Sequence, residues 1–336
     1  MTIYGEALTI IPRERSWLEH LREVDLGLAH ITIGIWEDAR ASLSVVGEWH
    51  TFLRENSDLA ELAESEVDIR RIAESGRTAV VLGFQNTAHL DHDVELIAMF
   101  RRLGVTVMQL TYNLQNFIGA GYWEEVDPGV TSRFGRVAIE EMNRVGVLID
   151  LSHCGDRTTR DAIELSARPV ALTHTNPREL VTGNGYGPGR LATTDAITEV
   201  GRRGGFVGLS PLNSLFSADY RFELSEFLDM VTWTSDKAGI EAVGIGSDFA
   251  PGFPPTINTW WRYANWSREV AVPYPSSEEY DSFPPWFRGA ARYPNLAEGL
   301  AQRSFSDAEI AGIVGGNWQR VLGASIEPSN SGGSHA

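Results

Sequence analysis

Short apolar runs alternate with amphipathic stretches along most of the chain. Eight runs have the length and composition of strands: Ile3–Ile10, Leu28–Ile35, Thr78–Phe84, Val105–Thr111, Val147–Ser152, Val170–Thr173, Gly205–Leu209 and Ala242–Ser247. Continuous apolar runs of this kind suit parallel strands covered on both faces. Between them, Asp93–Leu103, Gly135–Arg144 and Arg157–Ser166 show helical spacing. Strands alternating with helices imply βαβ units, and eight of them imply one closed (β/α)8 barrel of the TIM type, an α/β fold. Ser306-Asp307-Ala308-Glu309 is a capping box opening a helix that runs through Leu322. The barrel is expected over residues 1–324, with a long aromatic loop at about 249–288. Residues 325–336, rich in Ser and Gly, are expected to be a disordered tail.

In such a barrel, chemistry sits at the carboxyl ends of the strands. Two predicted strands deliver a histidine there: Leu148-Ile149-Asp150-Leu151-Ser152-His153 and Val170-Ala171-Leu172-Thr173-His174. Imidazoles on adjacent strand ends can converge on one metal ion; the plain alternative is two polar residues closing off strands. The third predicted strand ends in Gln85-Asn86, the fourth in Tyr112-Asn113, and the last in Asp248. A carboxylate at that last position suits a proton shuttle for an activated water, although a strand-end aspartate also caps helices and holds loops.

With 336 residues, 43% of them hydrophobic, the chain can bury a large core. No apolar run approaches the roughly 18 residues of a membrane span, and no basic-then-apolar leader opens the chain. The lone cysteine, Cys154, excludes an internal disulfide framework and suits a reducing cytoplasm. The net charge of -17 argues against nucleic acid or an anionic membrane surface as partner. A small molecule is the expected substrate.

The most specific stretch runs from Ser132-Arg133-Phe134-Gly135 through Glu141-Met142-Asn143-Arg144 and Ile149-Asp150-Leu151-Ser152-His153 to Thr173-His174 and Arg178. With Gly244-Ile245-Gly246-Ser247-Asp248-Phe249, Tyr293-Pro294-Asn295-Leu296 and Asn317-Trp318-Gln319-Arg320-Val321, it resembles the membrane (renal) dipeptidase family of zinc peptidases, which are amidohydrolase-like barrels. The resemblance implies a metal-dependent hydrolase that cleaves a small amide or dipeptide-like substrate. It implies that His153 and His174 hold a metal, that Asp248 lies near the attacking water and substrate amine, and that Arg190 receives the substrate carboxylate. Asn113, Gln85 and Asn176 join Arg190 as candidate substrate-binding residues.

The departures from the family pattern are specific. Where the family reads "DGHND", this chain has Tyr4-Gly5-Glu6-Ala7-Leu8; the bridging glutamate aligns with Gln85 and a strand-four histidine with Tyr112. Leucine cannot ligate zinc, and a neutral amide is a poor bridge between two cations. The expectation is therefore a mononuclear zinc site of His153 and His174, with Gln85, Asp248 or Glu6 as third ligand and water in the open position. Tyr112 would donate a hydrogen bond to the developing oxyanion. The alternative is a non-catalytic small-molecule binder with a decayed metal centre and no zinc.

Between Pro251 and Pro285 lie Trp260, Trp261, Tyr263, Trp266, Tyr274, Tyr280 and Phe283. This loop is either a lid or the interface of a homodimer. Trp36, Trp49 and Trp123 are assigned to packing. His20, His50, His89 and His92 are read as surface or structural, His30 as opening the second strand toward the barrel bottom, and Cys154 as a buried small residue.

Overall fold

A computed structural model describes residues 2–181, 187–216, 222–253, 260–261 and 283–326. All eight expected runs are strands, and a short ninth joins them: β1 Tyr4–Thr9, β2 Leu26–Gly34, β3 Ala60–Leu62, β4 Thr78–Phe84, β5 Val105–Gln109, β6 Leu148–Asp150, β7 Ala171–Thr175, β8 Phe206–Leu209 and β9 Val243–Ile245. Every pairing is parallel, in the order β1-β2-β4-β5-β6-β7-β8-β9, with β3 attached to β4. The ends meet: Asp248 N donates to Leu8 O (3.2 Å) and Ile10 N to Phe249 O (2.8 Å). The sheet is thus a nearly closed (β/α)8 barrel.

The pleat divides the side chains into two sets. Ile31, Leu82, Met108, Ile149, Leu172, Val207 and Ile245 belong to the cluster beneath the surrounding helices. Leu28, Val81, Val107, Leu148, Ala171 and Phe206 meet Trp318, Val321 and Leu322 of the helix Asn317–Ile326, which plugs the barrel bottom. Further along β6 and β7 the buried residues become polar, with Asp150, Ser152 and Thr173. An apolar plug thus fills the bottom of the barrel, and a buried polar layer lies toward the carboxyl ends of the strands.

Several expectations change here. The last helix continues through Ser325 and Ile326, both buried, so the chain is ordered past residue 324. The capping box at Ser306 forms, but its helix Asp307–Ala311 gives way to a π turn at Gly312–Gly316 before Asn317. His30 lies in the middle of β2 rather than at its start; its Nδ1 is 2.6 Å from Ala7 O, and its ring neighbours Trp318. His89 is fully buried on Phe84, with Nδ1 2.6 Å from Ser42 Oγ, and burial lowers its pKa to about 3. Cys154 is buried as expected, its thiol pushed up to about 12 chiefly by burial.

Glu6 closes the barrel rather than opening a metal site. Its Oε1 accepts from Ser247 N (2.7 Å) and Leu8 N (3.2 Å), and its Oε2 accepts from the Tyr293 hydroxyl (3.3 Å) on the helix Arg292–Gln302. Burial raises its pKa from 4.5 to about 7, against the pull of the Ser247 and Leu8 donors and of Arg292. A carboxyl whose folded pKa is raised contributes its full stability below the unfolded pKa and loses it as pH climbs through the folded one. The loss amounts to at most about 3 kcal/mol between pH 4.5 and 7. Glu6→Gln, which cannot ionise, is therefore expected to gain on the native protein between pH 5 and pH 8 in urea unfolding. An unchanged difference at the two pH values would refute an ionising latch.

Candidate metal and catalytic site

β6 and β7 deliver His153 and His174 side by side, with Nε2 atoms 2.9 Å apart. Beyond Asp150 the chain turns sharply and His153 adopts a left-handed φ of 62°. Asn113 (φ 56°) and Asp248 (φ 59°) share that conformation, which non-glycine residues rarely adopt and which gathers at functional sites. On β7 the pairing with β8 shifts register between Leu172 and Thr175. Gly208 and Gly246 make room for it: a Cβ there would fall 1.9 and 1.7 Å from Thr173 O.

Each imidazole is oriented from behind. Asp150, fully buried, accepts from Ser152 N (3.0 Å), Ser152 Oγ (2.9 Å), Thr173 N (3.0 Å) and Thr173 Oγ1 (2.6 Å). Burial pushes its carboxyl up while these donors hold it down. Because Thr173 donates its proton to Asp150, its oxygen is free to accept Nδ1–H of His174 at 2.7 Å. Asn113 Oδ1 accepts Nδ1–H of His153, also at 2.7 Å. These tautomers follow from the hydrogen-bond network. Both Nε2 atoms then carry no proton. Burial first, and then the positive charge of Arg190, hold both rings well below the usual histidine range, so they stay neutral.

Two lone pairs facing each other at this distance repel unless a cation lies at their focus. Gln85 Nε2 donates to His174 Nε2 at 3.2 Å, and its buried Oε1 has no partner; turning the amide over would bring that oxygen to the imidazoles. Two imidazole nitrogens and an orphaned amide oxygen fit one divalent cation. They do not fit a pair. Leu8 occupies the position of one expected ligand, and Glu6, offered above as a third ligand, is engaged in the barrel closure. Among the described residues no cluster of three His, Cys, Asp or Glu side chains is placed to hold a metal.

Arg190 is 4% exposed; its Nη1 donates to His174 O (2.9 Å), and its Nη2 has no hydrogen-bond partner and lies 3.9 Å from Asp248 Oδ2. Asp248 is enclosed yet 23% open at its side chain. Burial raises its pKa to about 6, with Arg190 pulling it down and Asp150 pushing it up. Tyr112 stacks on His153, with centroids 4.3 Å apart and planes at 20°, and Trp36 meets Tyr112 edge-on.

The expected residues thus fall into groups. His153, His174, Gln85, Tyr112, Arg190 and Asp248 come together. Asn113 orients His153 instead of facing a ligand. Asn176 binds Ser210 N and Ser210 O through its amide, at 2.9 and 3.0 Å, and ties β7 to β8. Trp49 is core packing, whereas Trp36 and Trp123 are half-buried at the mouth. Asp150, Ser152 and Thr173 were not foreseen; an aspartate inside an apolar strand was the signal, since a buried charge needs partners. The lid-or-interface expectation falls largely on residues 254–259 and 262–282, outside the described residues. Among the described residues no helix is long and apolar enough to cross a membrane.

Residues 11–271 match the family Membrane dipeptidase (Peptidase family M19). The chain is 25% identical over 268 residues to Dipeptidase tcpJ of Claviceps purpurea, covering 79% of this chain and 55% of that protein, so it spans about half that relative's length. A solved amidohydrolase from Pseudomonas aeruginosa superposes with a TM-score of 0.88 at 29% identity, covering 97% of both chains. A metallopeptidase from Rhodobacter sphaeroides, solved with a phosphinate mimic of the dipeptide L-Ala-D-Ala, superposes with a TM-score of 0.76 at 15% identity, covering 97% of this chain and all of that one.

Proposed function

The chain belongs to the membrane dipeptidase family, and on that premise we propose that it is a metal-dependent hydrolase of small dipeptide-like amides, working with one zinc ion per chain. The observation that carries this reading is the pair of neutral histidines, His153 and His174, whose unprotonated Nε2 atoms oppose each other at 2.9 Å against the amide of Gln85, the oxygen of which has no partner. These three residues would hold the ion. When bound, a zinc ion supplies Lewis-acid polarisation and lowers the pKa of water to about 7.

The protein's own residues do the rest. Arg190 presents from a buried position an Nη2 that makes no hydrogen bond, and it receives the substrate carboxylate, fixing one end of the amide. Asp248, partly open and with a pKa of about 6, is mostly ionised at neutral pH. It takes the proton from the attacking water and returns it to the leaving amine. Tyr112, held against His153, donates its hydroxyl to the oxygen of the tetrahedral intermediate. Asp150, Thr173 and Asn113 keep both imidazoles in the tautomer that leaves Nε2 without a proton.

The test pairs metal analysis with turnover on protein purified without chelator. About one zinc per chain, with hydrolysis of simple dipeptides that stops on chelation and returns with zinc, is the expected result. A chain that takes up no zinc from a zinc-containing buffer overturns the reading. Two zinc ions per chain would overturn the mononuclear assignment.

A further inference from the structure

Four buried polar atoms inside the barrel have no hydrogen-bond partner: His30 Nε2, Thr32 Oγ1, Gln85 Oε1 and Gln109 Oε1. None of these residues is more than 3% exposed. The pleat puts them on one face. Leu28, Val81 and Val107 line the interior with Trp318, so alternation turns His30, Thr32, Gly83, Gln85 and Gln109 inward as well. Ile31, Phe84 and Met108 face the helices. Orphaned buried polar groups are rare in native proteins.

Gly83 sets where the imidazole of His30 sits. A Cβ on Gly83 would fall 2.1 Å from His30 Nε2 and 3.0 Å from Val107 O, so the ring fills the space of a missing side chain. The next inward positions along β4 and β5 are Gln85, just past the strand, and Gln109. Two residues along a strand span roughly 6.6 Å. That is longer than one hydrogen bond and close to the span of two that meet at a water.

The proton positions are fixed. Ala7 O, 2.6 Å from His30 Nδ1, only accepts, so the proton is on Nδ1. Burial keeps the ring neutral, with a pKa of about 4, and Nε2 is therefore an acceptor. Gln109 Nε2 donates to Gln85 O (2.8 Å) and Thr111 O (2.7 Å), which leaves its oxygen as a second acceptor. Two acceptors without a donor suit a water, which brings two hydrogens. Its lone pairs then face the Gln85 amide and the Thr32 hydroxyl.

Resting on the hydrolase reading above, we propose that His30 and Gln109 hold a buried water beneath Gln85, and that this water turns the Gln85 amide so that Oε1 faces the metal. With both hydrogens given to His30 and Gln109, the water accepts from Gln85 Nε2 and has none left for Oε1. His174 Nε2 makes the opposite demand, drawing Gln85 Nε2 to itself at 3.2 Å. A cation on His174 removes that demand, and the water then decides the orientation. His30 and Gln109 are positioning residues for the third ligand.

High-resolution crystal structures of the native protein, with and without zinc, should show a water within about 3.2 Å of His30 Nε2 and Gln109 Oε1. No water there, or a metal ion in its place, overturns the site. Zinc affinity, measured by competition with a chromophoric chelator, tests the positioning. His30→Phe should weaken it by roughly 10- to 100-fold. In a Gln85→Glu background the two carboxylate oxygens are equivalent and leave no orientation to choose. There the same change at His30 should cost no more than roughly twofold. An equal loss in both backgrounds makes His30 merely structural and overturns the positioning role. Circular dichroism checks each variant for folding; should His30→Phe not fold, the side to which Gln85 Oε1 turns in the zinc-loaded crystals decides. A native protein that takes up no zinc fails the hydrolase reading and the positioning role together, while the metal-free crystals still uphold or overturn the water site.

Discussion

Alanine in place of His174 is expected to abolish both zinc retention and turnover, with kcat/KM falling by more than roughly 10⁴-fold, because catalytic zinc sites rest on three protein ligands. His174 is fully buried at the focus of the site, with His153 Nε2 at 2.9 Å and Gln85 Nε2 at 3.2 Å. Its removal leaves one imidazole and one amide, too few to hold a cation against water. A graded control separates ligation from general damage. Thr173→Val keeps the shape of the side chain and removes the oxygen that accepts Nδ1–H of His174. Losing an outer partner of this kind costs roughly 10- to 100-fold in metal affinity or activity. The expected order is therefore native, then Thr173→Val, then His174→Ala, in both zinc content after dialysis and rate. A His174→Ala protein that retained zinc at the native stoichiometry would remove His174 from the ligand set.

Asp248→Asn should produce the second-largest effect, a fall of roughly 10²- to 10⁴-fold in kcat, the range usual for a lost general base. Asparagine preserves size, and the backbone bond from position 248 to Leu8 O, which helps close the barrel, does not involve the side chain. The pH profile identifies the role. With a pKa raised to about 6, the Asp248 carboxylate is the active base above that pH. The native kcat/KM should fall about tenfold for each pH unit below 6, and Asp248→Asn should lack that acid limb. If the limb persists in the variant, another group moves the proton. If the rate is unaffected, Asp248 has no part in proton transfer.

The fold was legible because parallel strands buried on both faces leave a signature that depends on composition alone. Thr78–Phe84 matches its predicted span at both ends, and the other seven shift by a few residues at their termini. The three-residue β3 carries no such signature, since its only partner is β4. His153, His174 and Asp248 were legible from their positions at strand ends. Glu6 was not: aligned with a family ligand, it is bound by Ser247 N and Tyr293 from far along the chain. Trp36 and Trp123 had no local feature to distinguish them from Trp49. Only the tertiary structure brings Trp36 against Tyr112, which stacks on His153.

The amino-acid sequence by itself determined the barrel and set His153, His174 and Asp248 at the carboxyl ends of its strands. Each follows from local patterning or from what a side chain can chemically do. The tertiary structure alone decided how those groups are tuned. It set the tautomers through Asp150, Thr173 and Asn113, raised the Asp248 pKa through burial against the pull of Arg190, and turned Glu6 into a closure. Hydrogen bonding, desolvation and ring contact act through space, and apart from Thr173, which adjoins His174, the residues that supply them here are separated along the chain by tens to hundreds of positions.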